Sequence, residues 1–139
     1  MTKKTVIYLA GPMEHVSVED ATGWRDEVKE MFRNHEVKVL DPCRRIHDFN
    51  PKYMKRIFEL DIIDINNSNL IIANLDGMGN VPRHGTAMEV FYASYVRRIP
   101  VIAFKSTVTG VHPFFESLVT EWRSTHIKAA ESVIDHYLE

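Results

Sequence analysis

The sequence predicts a single α/β domain over residues 1–139, with a flavodoxin-like or Rossmann-like parallel sheet of about five strands flanked by helices. Two observations predict this class. Short apolar, β-branched runs alternate along the chain with longer segments whose apolar residues recur at helical spacing. Within the short runs, apolar and polar residues alternate poorly, which is typical of strands covered by helices on both faces. The length is sufficient for one hydrophobic core but not for two.

Four runs can be placed as strands, and most end at turn-forming or polar residues. They are residues 5–10, 36–40, 70–75 and 100–104. In a sheet of this class a ligand binds beyond the carboxyl ends of the strands. Candidate site residues are therefore sought directly after these runs, where Gly11, Met13 and Asp41 lie.

The helices are predicted from their starts and their apolar spacing. Ser17 followed by Asp20 resembles a capping box and opens the first helix, and Asn50-Pro51 opens the second, which should end near residue 66 or 67. A third helix runs to about Arg97, a short one follows Pro113, and the last covers residues 129–137. The predicted buried residues are Ala21, Trp24, Val28, Met31 and Phe32 in the first helix, and Met54, Ile57, Phe58, Asp61, Ile62 and Ile65 in the second.

Composition excludes several classes of partner. A net charge of −2 gives no overall attraction to nucleic acid polymers or to anionic membranes. The single cysteine, Cys43, cannot form an intramolecular disulfide, and the first apolar run is too short for a secretory core or a membrane span. A cytoplasmic protein is the expectation. The seven histidines lack metal-site spacing, and no Walker or dinucleotide glycine motif occurs, so we expect no metal and no cofactor.

Glu89 is the leading catalytic candidate. It follows the apolar run at residues 70–75 and the helix opening Gly85-Thr86, an order that predicts an acid in the first turn of a helix at the mouth of the sheet. The alternative is that Glu89 only complements the helix dipole and its free N–H groups.

Asp61 and Asp64 lie one helical turn apart, and only one of them is expected to lie centrally on the buried stripe. Burial of an unpaired carboxylate is costly, so Asp61 needs a partner or a function. The alternative is that the helix ends in a solvated acidic turn. If Asp61 and Glu89 face one pocket, they form the two-carboxylate arrangement used in glycosyl transfer with retention.

Three motifs in register resemble the nucleoside 2-deoxyribosyltransferase family, which includes the 2′-deoxynucleoside 5′-monophosphate N-glycosidases. They are Tyr8-Leu9-Ala10-Gly11, then Asp61-Ile62 before the third strand, and Gly85-Thr86-Ala87-Met88-Glu89 with Ala93 four residues later. The resemblance covers about residues 5 to 105.

The resemblance implies that Glu89 is the nucleophile that attacks a deoxyribose, that Asp61 handles the proton at the nucleobase, and that Tyr8 orients Glu89. A core-packing role is the alternative for Tyr8. Transfer of the sugar to a second base is the leading function. Hydrolysis of a 2′-deoxynucleoside 5′-monophosphate is the second, and a catalytically silent nucleotide-binding or sensing module is the third.

One departure from the family concerns the 5′ end of the substrate. Six residues before the nucleophile, the transferases carry an Asp that binds the 5′-hydroxyl and the monophosphate glycosidases carry a Ser, whereas this chain has Arg83. An arginine suits a dianionic phosphate. We therefore expect Arg83 to bind a 5′-phosphate, with help from His84, from the Gly11 loop, or from Ser106 and Thr107 of a neighbouring copy. Gly85 is a further substrate-binding candidate. The alternative is a solvated arginine beside an enzyme that acts on nucleosides.

The expected partners are a small nucleoside or nucleotide and further copies of the chain. Apolar residues on the Glu89 helix exceed what one core face needs; they are Val90, Phe91, Tyr92 and Tyr95. Family members are homo-oligomers with shared active sites, so the resemblance implies the same here.

Overall fold

The computed structural model describes residues 4–14, 16–45, 51–76 and 84–138, and its centre is a parallel five-stranded sheet. The strands are β1 (Thr5–Ala10), β2 (Val37–Leu40), β3 (Leu70–Asn74), β4 (Val101–Phe104) and β5 (Glu121–Arg123), in the spatial order β2-β1-β3-β4-β5. This order confirms the predicted flavodoxin-like α/β class.

Helices connect the strands and cover both faces of the sheet. They are α1 (Val18–Phe32), a 3₁₀ turn (Pro42–Arg45), α2 (Pro51–Asn66), α3 (His84–Phe91), which continues as a π-helical segment (Tyr92–Val96), α4 (Phe114–Leu118) and α5 (His126–Tyr137). Ser17 caps α1 as predicted, because its side chain accepts a hydrogen bond from the Asp20 amide. The predicted cap Asn50 lies outside the described residues. Among those described, no helix is long and apolar enough to cross a membrane.

Strand alternation divides the core into two apolar layers. Ile7 and Leu9 of β1 face the layer built by α1 and α5. Tyr8 and Ala10 face the opposite layer, together with Ile65 of α2 and Val90 of α3. Because successive strand side chains point to opposite faces, Tyr8 is directed to the side of the sheet where α2 and α3 pack.

The site is expected where the order of the sheet reverses. From β1 the chain first adds β2 on one side and then β3 on the other, so the loops at the carboxyl ends of β1 and β3 diverge. Tyr8 pairs with Leu40 of β2 and with Ile71 of β3, at this position in the sheet.

Two expectations about the elements were wrong, and one strand was not located. Glu89 is not in the first turn of its helix, because α3 already begins at His84 within the described residues. Glu89 therefore cannot serve as a cap for that end, and it packs against the sheet instead. Phe58 is 51% exposed, because only the C-terminal half of α2 lies against the sheet. The fifth strand, Glu121–Arg123, was not placed because it is short and polar.

Gly11 allows α1 and β3 to approach the end of β1 closely. A Cβ atom at this position would lie 2.9 Å from Cζ2 of Trp24 and 3.1 Å from Cβ of Asn74. Both neighbours belong to rigid, buried parts of the structure, so neither can move away at low cost.

We expect Gly11→Ala to lower the free energy of unfolding by about 1 to 3 kcal/mol, because overpacking forces the neighbours apart. Urea denaturation measures this effect. Gly23→Ala in α1 is the matched control: nothing lies within 4 Å of its added Cβ, and a helical Gly to Ala change stabilises by about 0.5 to 1 kcal/mol. An equal change in the free energy of unfolding for the two variants would contradict the close approach at Gly11.

Candidate active site

Three predicted residues from three elements meet beside β1. Tyr8 comes from β1, Asp61 from the last turns of α2, and Glu89 from α3. Burial is the largest cause of the raised pKa of both Tyr8 and Glu89. The negative charges of Glu89 and Asp61 add to the pKa shift of Tyr8, and the charge of Asp61 adds to that of Glu89. Such mutual effects require the three groups to lie close together.

Glu89 is buried without a full set of partners. Its residue is 8% exposed, and its Oε2 atom is buried with no hydrogen bond to any described residue. Burial, and then the negative charge of Asp61, raises the pKa of Glu89 to about 8. Since an unsatisfied buried polar group costs about 1–3 kcal/mol, this carboxylate is a strained element rather than a stabilising one.

Asp61 is also buried, but it is paired. Arg45 donates a hydrogen bond from Nη1 to Oδ1 of Asp61 at 2.5 Å. Burial raises the pKa of Asp61 to about 6, although the positive charge of Arg45 opposes this shift and the negative charge of Asp64 adds to it.

Asp64 is as buried as Asp61, each being 7% exposed, so the expectation that only one of them lies inside was wrong. Its Oδ2 atom accepts hydrogen bonds from Arg44 at 2.8 Å and from Arg45 at short range. The two arginines of the 3₁₀ turn make the double burial possible, because paired charges cost far less to bury than isolated ones.

Tyr8 is completely buried, and its hydroxyl makes no hydrogen bond of standard geometry to a described residue. Burial, followed by the charge of Glu89, raises the pKa of Tyr8 well above its usual value. The hydroxyl therefore stays protonated and is available as a donor beside the Glu89 carboxylate.

Asp41 follows β2 and Met13 follows β1, and both make contacts within the protein. Asp41 binds Lys29 at 2.7 Å and the Cys43 amide at 2.8 Å, and it lies 3.5 Å from Nε of Arg25. Its carboxylate is thus engaged in holding the 3₁₀ turn. Met13 is half-buried, with its sulfur 3.4 Å from Sγ of Cys43.

The predicted 5′-end residues are only partly described. His84 and Gly85 are exposed at the start of α3, and a Cβ atom added to Gly85 would meet nothing within 4 Å. Arg83 lies outside the described residues. Among those described, no group of three or more His, Cys, Asp or Glu side chains could hold a metal ion.

Arg25 is a site residue that sequence reasoning missed. It is completely buried, and it donates to the Gly11 carbonyl at 3.0 Å and the Ala21 carbonyl at 2.6 Å. Its charge lowers the pKa of both Glu89 and Tyr8. The available signal was its position beside Trp24 on the buried face of α1, where an arginine is unexpected.

The family of this chain follows from a match along most of its length. Residues 7–130 match the family model for nucleoside 2-deoxyribosyltransferase. The chain belongs to this family. Its members act on small nucleoside substrates, and the predicted resemblance is confirmed. No sequence among the curated proteins gives a significant match.

Solved structures show the same fold at low sequence identity. A 2-deoxyribosyltransferase from Bacillus psychrosaccharolyticus is 18% identical with a TM-score of 0.70, covering 91% of this chain and 90% of that one. The enzyme from Leishmania mexicana is 20% identical with a TM-score of 0.65, covering 96% and 99%. A CMP N-glycosidase from Clostridium botulinum is 12% identical with a TM-score of 0.60, covering 95% and 100%.

We expect Glu89→Gln to stabilise the protein increasingly as pH rises. Between the usual glutamate pKa of 4.5 and the folded value of about 8, the unfolded chain loses this proton while the folded protein keeps it, so the wild type loses stability across that window. The variant should gain about 2 to 4 kcal/mol over the wild type between pH 4 and pH 8. Thermal and urea unfolding at both pH values measures the gain.

Glu131→Gln is the control, since Glu131 is exposed on α5. A stability difference between Glu89→Gln and the wild type that does not change with pH would contradict the raised pKa of Glu89.

Proposed function

We propose that this protein cleaves the N-glycosidic bond of a 2′-deoxynucleoside or its 5′-monophosphate and transfers the deoxyribose to another base. The observation that supports this proposal best is the buried Glu89 carboxylate, which has one oxygen without a hydrogen bond to any described residue. This carboxylate lies beside Asp61 and Tyr8, near the position where the strand order of the sheet reverses. Membership of the deoxyribosyltransferase family supports this reaction type.

In the free protein the single proton of the pair resides mainly on Glu89, and in the reactive form it has moved to Asp61. In the first step the ionised Glu89 carboxylate then attacks C1′ of the sugar, and the bond between C1′ and the base nitrogen breaks. Asp61 delivers its proton to the departing base, so the base leaves neutral. The product on the protein is a glutamyl-deoxyribose ester. In the reacting complex the Tyr8 hydroxyl donates a hydrogen bond to Glu89 and so holds the carboxylate in the attacking orientation.

In the second step a new base attacks C1′, the ester bond breaks, and Asp61 takes up the proton that the incoming base loses. Water in place of the base gives free deoxyribose, so hydrolysis uses the same residues. Burial favours the first step because a poorly solvated carboxylate is a stronger nucleophile, and the nearby charge of Arg25 keeps it ionisable.

We expect kcat/KM to be bell-shaped in pH, with limbs near the pKa values of about 6 and about 8. The active form of the pair carries one proton, so activity falls below the lower value, where both acids are protonated, and above the higher one, where neither is. Initial rates from pH 5 to 9 measure the profile. A rate that rises across this range without a maximum would contradict a shared proton.

Product analysis is the direct test of the reaction. The protein is incubated with deoxynucleosides or their 5′-monophosphates, each with and without a second free base. A new deoxynucleoside that forms only with the second base supports transfer. Glu89→Ala should lower either reaction by at least about a thousandfold. Retained ligand binding without turnover in both wild type and variant would favour the silent sensing module.

Hydrolysis of the 5′-monophosphate is the second candidate, favoured by the Arg83-His84 pair before Gly85. An arginine can bind a phosphate dianion through two charge-assisted hydrogen bonds. Free base released from the monophosphate alone would support this candidate, and Arg83→Asp should then reverse the preference toward the nucleoside. Equal rates on thymidine and its 5′-monophosphate would contradict it.

A homo-oligomer is proposed from an apolar groove of about 570 Å³ between α2, α3 and α4. Exposed side chains line it, namely Phe58, Met88, Phe91 and Phe114. An exposed apolar surface of this kind favours a protein contact. Ile62 and Met88 also line the groove, next in sequence to Asp61 and Glu89, so a second copy docked there would lie at the rim of the site.

We expect Phe91→Glu to shift the protein from an oligomer to a 16.1 kDa monomer, because a charge in an apolar contact is costly to bury. Light scattering after gel filtration measures the mass. Val108→Glu is the control, since Val108 is 92% exposed and outside the groove lining. A wild-type protein that is already monomeric at micromolar concentration would refute the proposal.

A further inference from the structure

One guanidinium connects the two buried acids of α2. Arg45, at the end of the 3₁₀ turn after β2, bonds Asp61 through Nη1 and Asp64 through Nη2. Its side chain is 15% exposed, and those of Asp61 and Asp64 are 10% and 11% exposed. The planar fork of an arginine can hold two carboxylates in a fixed mutual geometry, which a lysine cannot do.

The Asp64 end of this bridge is held by further hydrogen bonds. Arg44 bonds the same Oδ2 atom of Asp64 at 2.8 Å and donates to the Asp41 carbonyl at 2.8 Å. Asp41 is in turn bound by Lys29 at 2.7 Å. The bridge is therefore fixed to the end of β2, and its Asp61 and Arg45 members lie near enough to Glu89 for their charges to act on that carboxyl.

We propose that Arg45, braced by Asp64, is a positioning residue that holds Oδ1 of Asp61 and so directs the other oxygen, Oδ2, to exchange the proton with the nucleobase. This inference rests on the proposed function of Asp61. It adds two residues, Arg45 and Asp64, that act through Asp61 without touching the substrate.

The charges around Asp61 make the proposal specific. The described groups that face it are Arg45, Arg44, Asp64, Tyr8 and Glu89. Arg45 lowers the pKa of Asp61 and Asp64 raises it. Removing one or the other must therefore move the acidic limb of the pH profile in opposite directions, which a purely structural role in holding the turn would not do.

The test compares four variants with the wild type. Arg45→Gln should raise the pKa of the acidic limb of the kcat/KM profile by about one unit or more, and Asp64→Asn should lower that pKa. Arg45→Lys keeps the positive charge but cannot bond both carboxylates. It should therefore leave the pKa of the acidic limb unchanged and lower kcat by about tenfold or more. Arg44→Gln is the matched control: it belongs to the same turn and bonds Asp64 but not Asp61, so its shift should be smaller than that of Arg45→Gln.

A direct titration separates this inference from the proposed function. Carboxyl ¹³C NMR on protein labelled at aspartate, with Asp61→Asn to assign the signal, gives the pKa of Asp61 without any turnover. Opposite shifts in Arg45→Gln and Asp64→Asn support the bridge even if no reaction is found. An Asp61 signal that titrates alike in both variants overturns it even in an active enzyme. If Arg45→Gln does not fold, Arg45→Lys and Asp64→Asn decide the question.

Discussion

The removal of two carboxylates from water is the constraint on which the site depends. Glu89 and Asp61 lie close enough to oppose each other's ionisation, and burial opposes it further. Two cations offset part of this cost: the partly buried Arg45 bonds Asp61 directly, and the fully buried Arg25 acts on Glu89 through its charge. The pair therefore retains a proton near neutral pH, which is the state that the proposed glycosyl transfer through an acid and a nucleophile needs.

The fold places these groups with little local adjustment. Period-two alternation in β1 sends Tyr8 to one face of the sheet, and α2 and α3 pack on that face with Asp61 and Glu89. The reversal of strand order between β2 and β3 separates the loops above β1, so an opening for a ligand is expected there. Gly11 lets α1 approach this edge, and Arg25 of α1 then bonds the Gly11 carbonyl.

Stability and function compete in this site. The unpaired Oε2 of Glu89 and the unpaired hydroxyl of Tyr8 each cost free energy that the two apolar layers of the core must offset. The proposed reaction needs these groups as they are, because a fully satisfied Glu89 carboxylate would be a poor nucleophile. By contrast, Asp64 and Asp41 are fully engaged, which fits a role in holding the scaffold rather than in touching substrate.

The sequence by itself determined the α/β class, four of the five strands, the Ser17 cap and the family, because hydrophobic period and short motifs are local properties. It also singled out Tyr8, Asp61 and Glu89 as candidates. Only the tertiary structure decided that Asp64 is buried, that Glu89 lies beyond the first turn of α3, and that Arg25 and Arg45 supply the compensating charges. Those facts depend on which side chains from distant segments meet in a low-dielectric interior, and no local pattern encodes that.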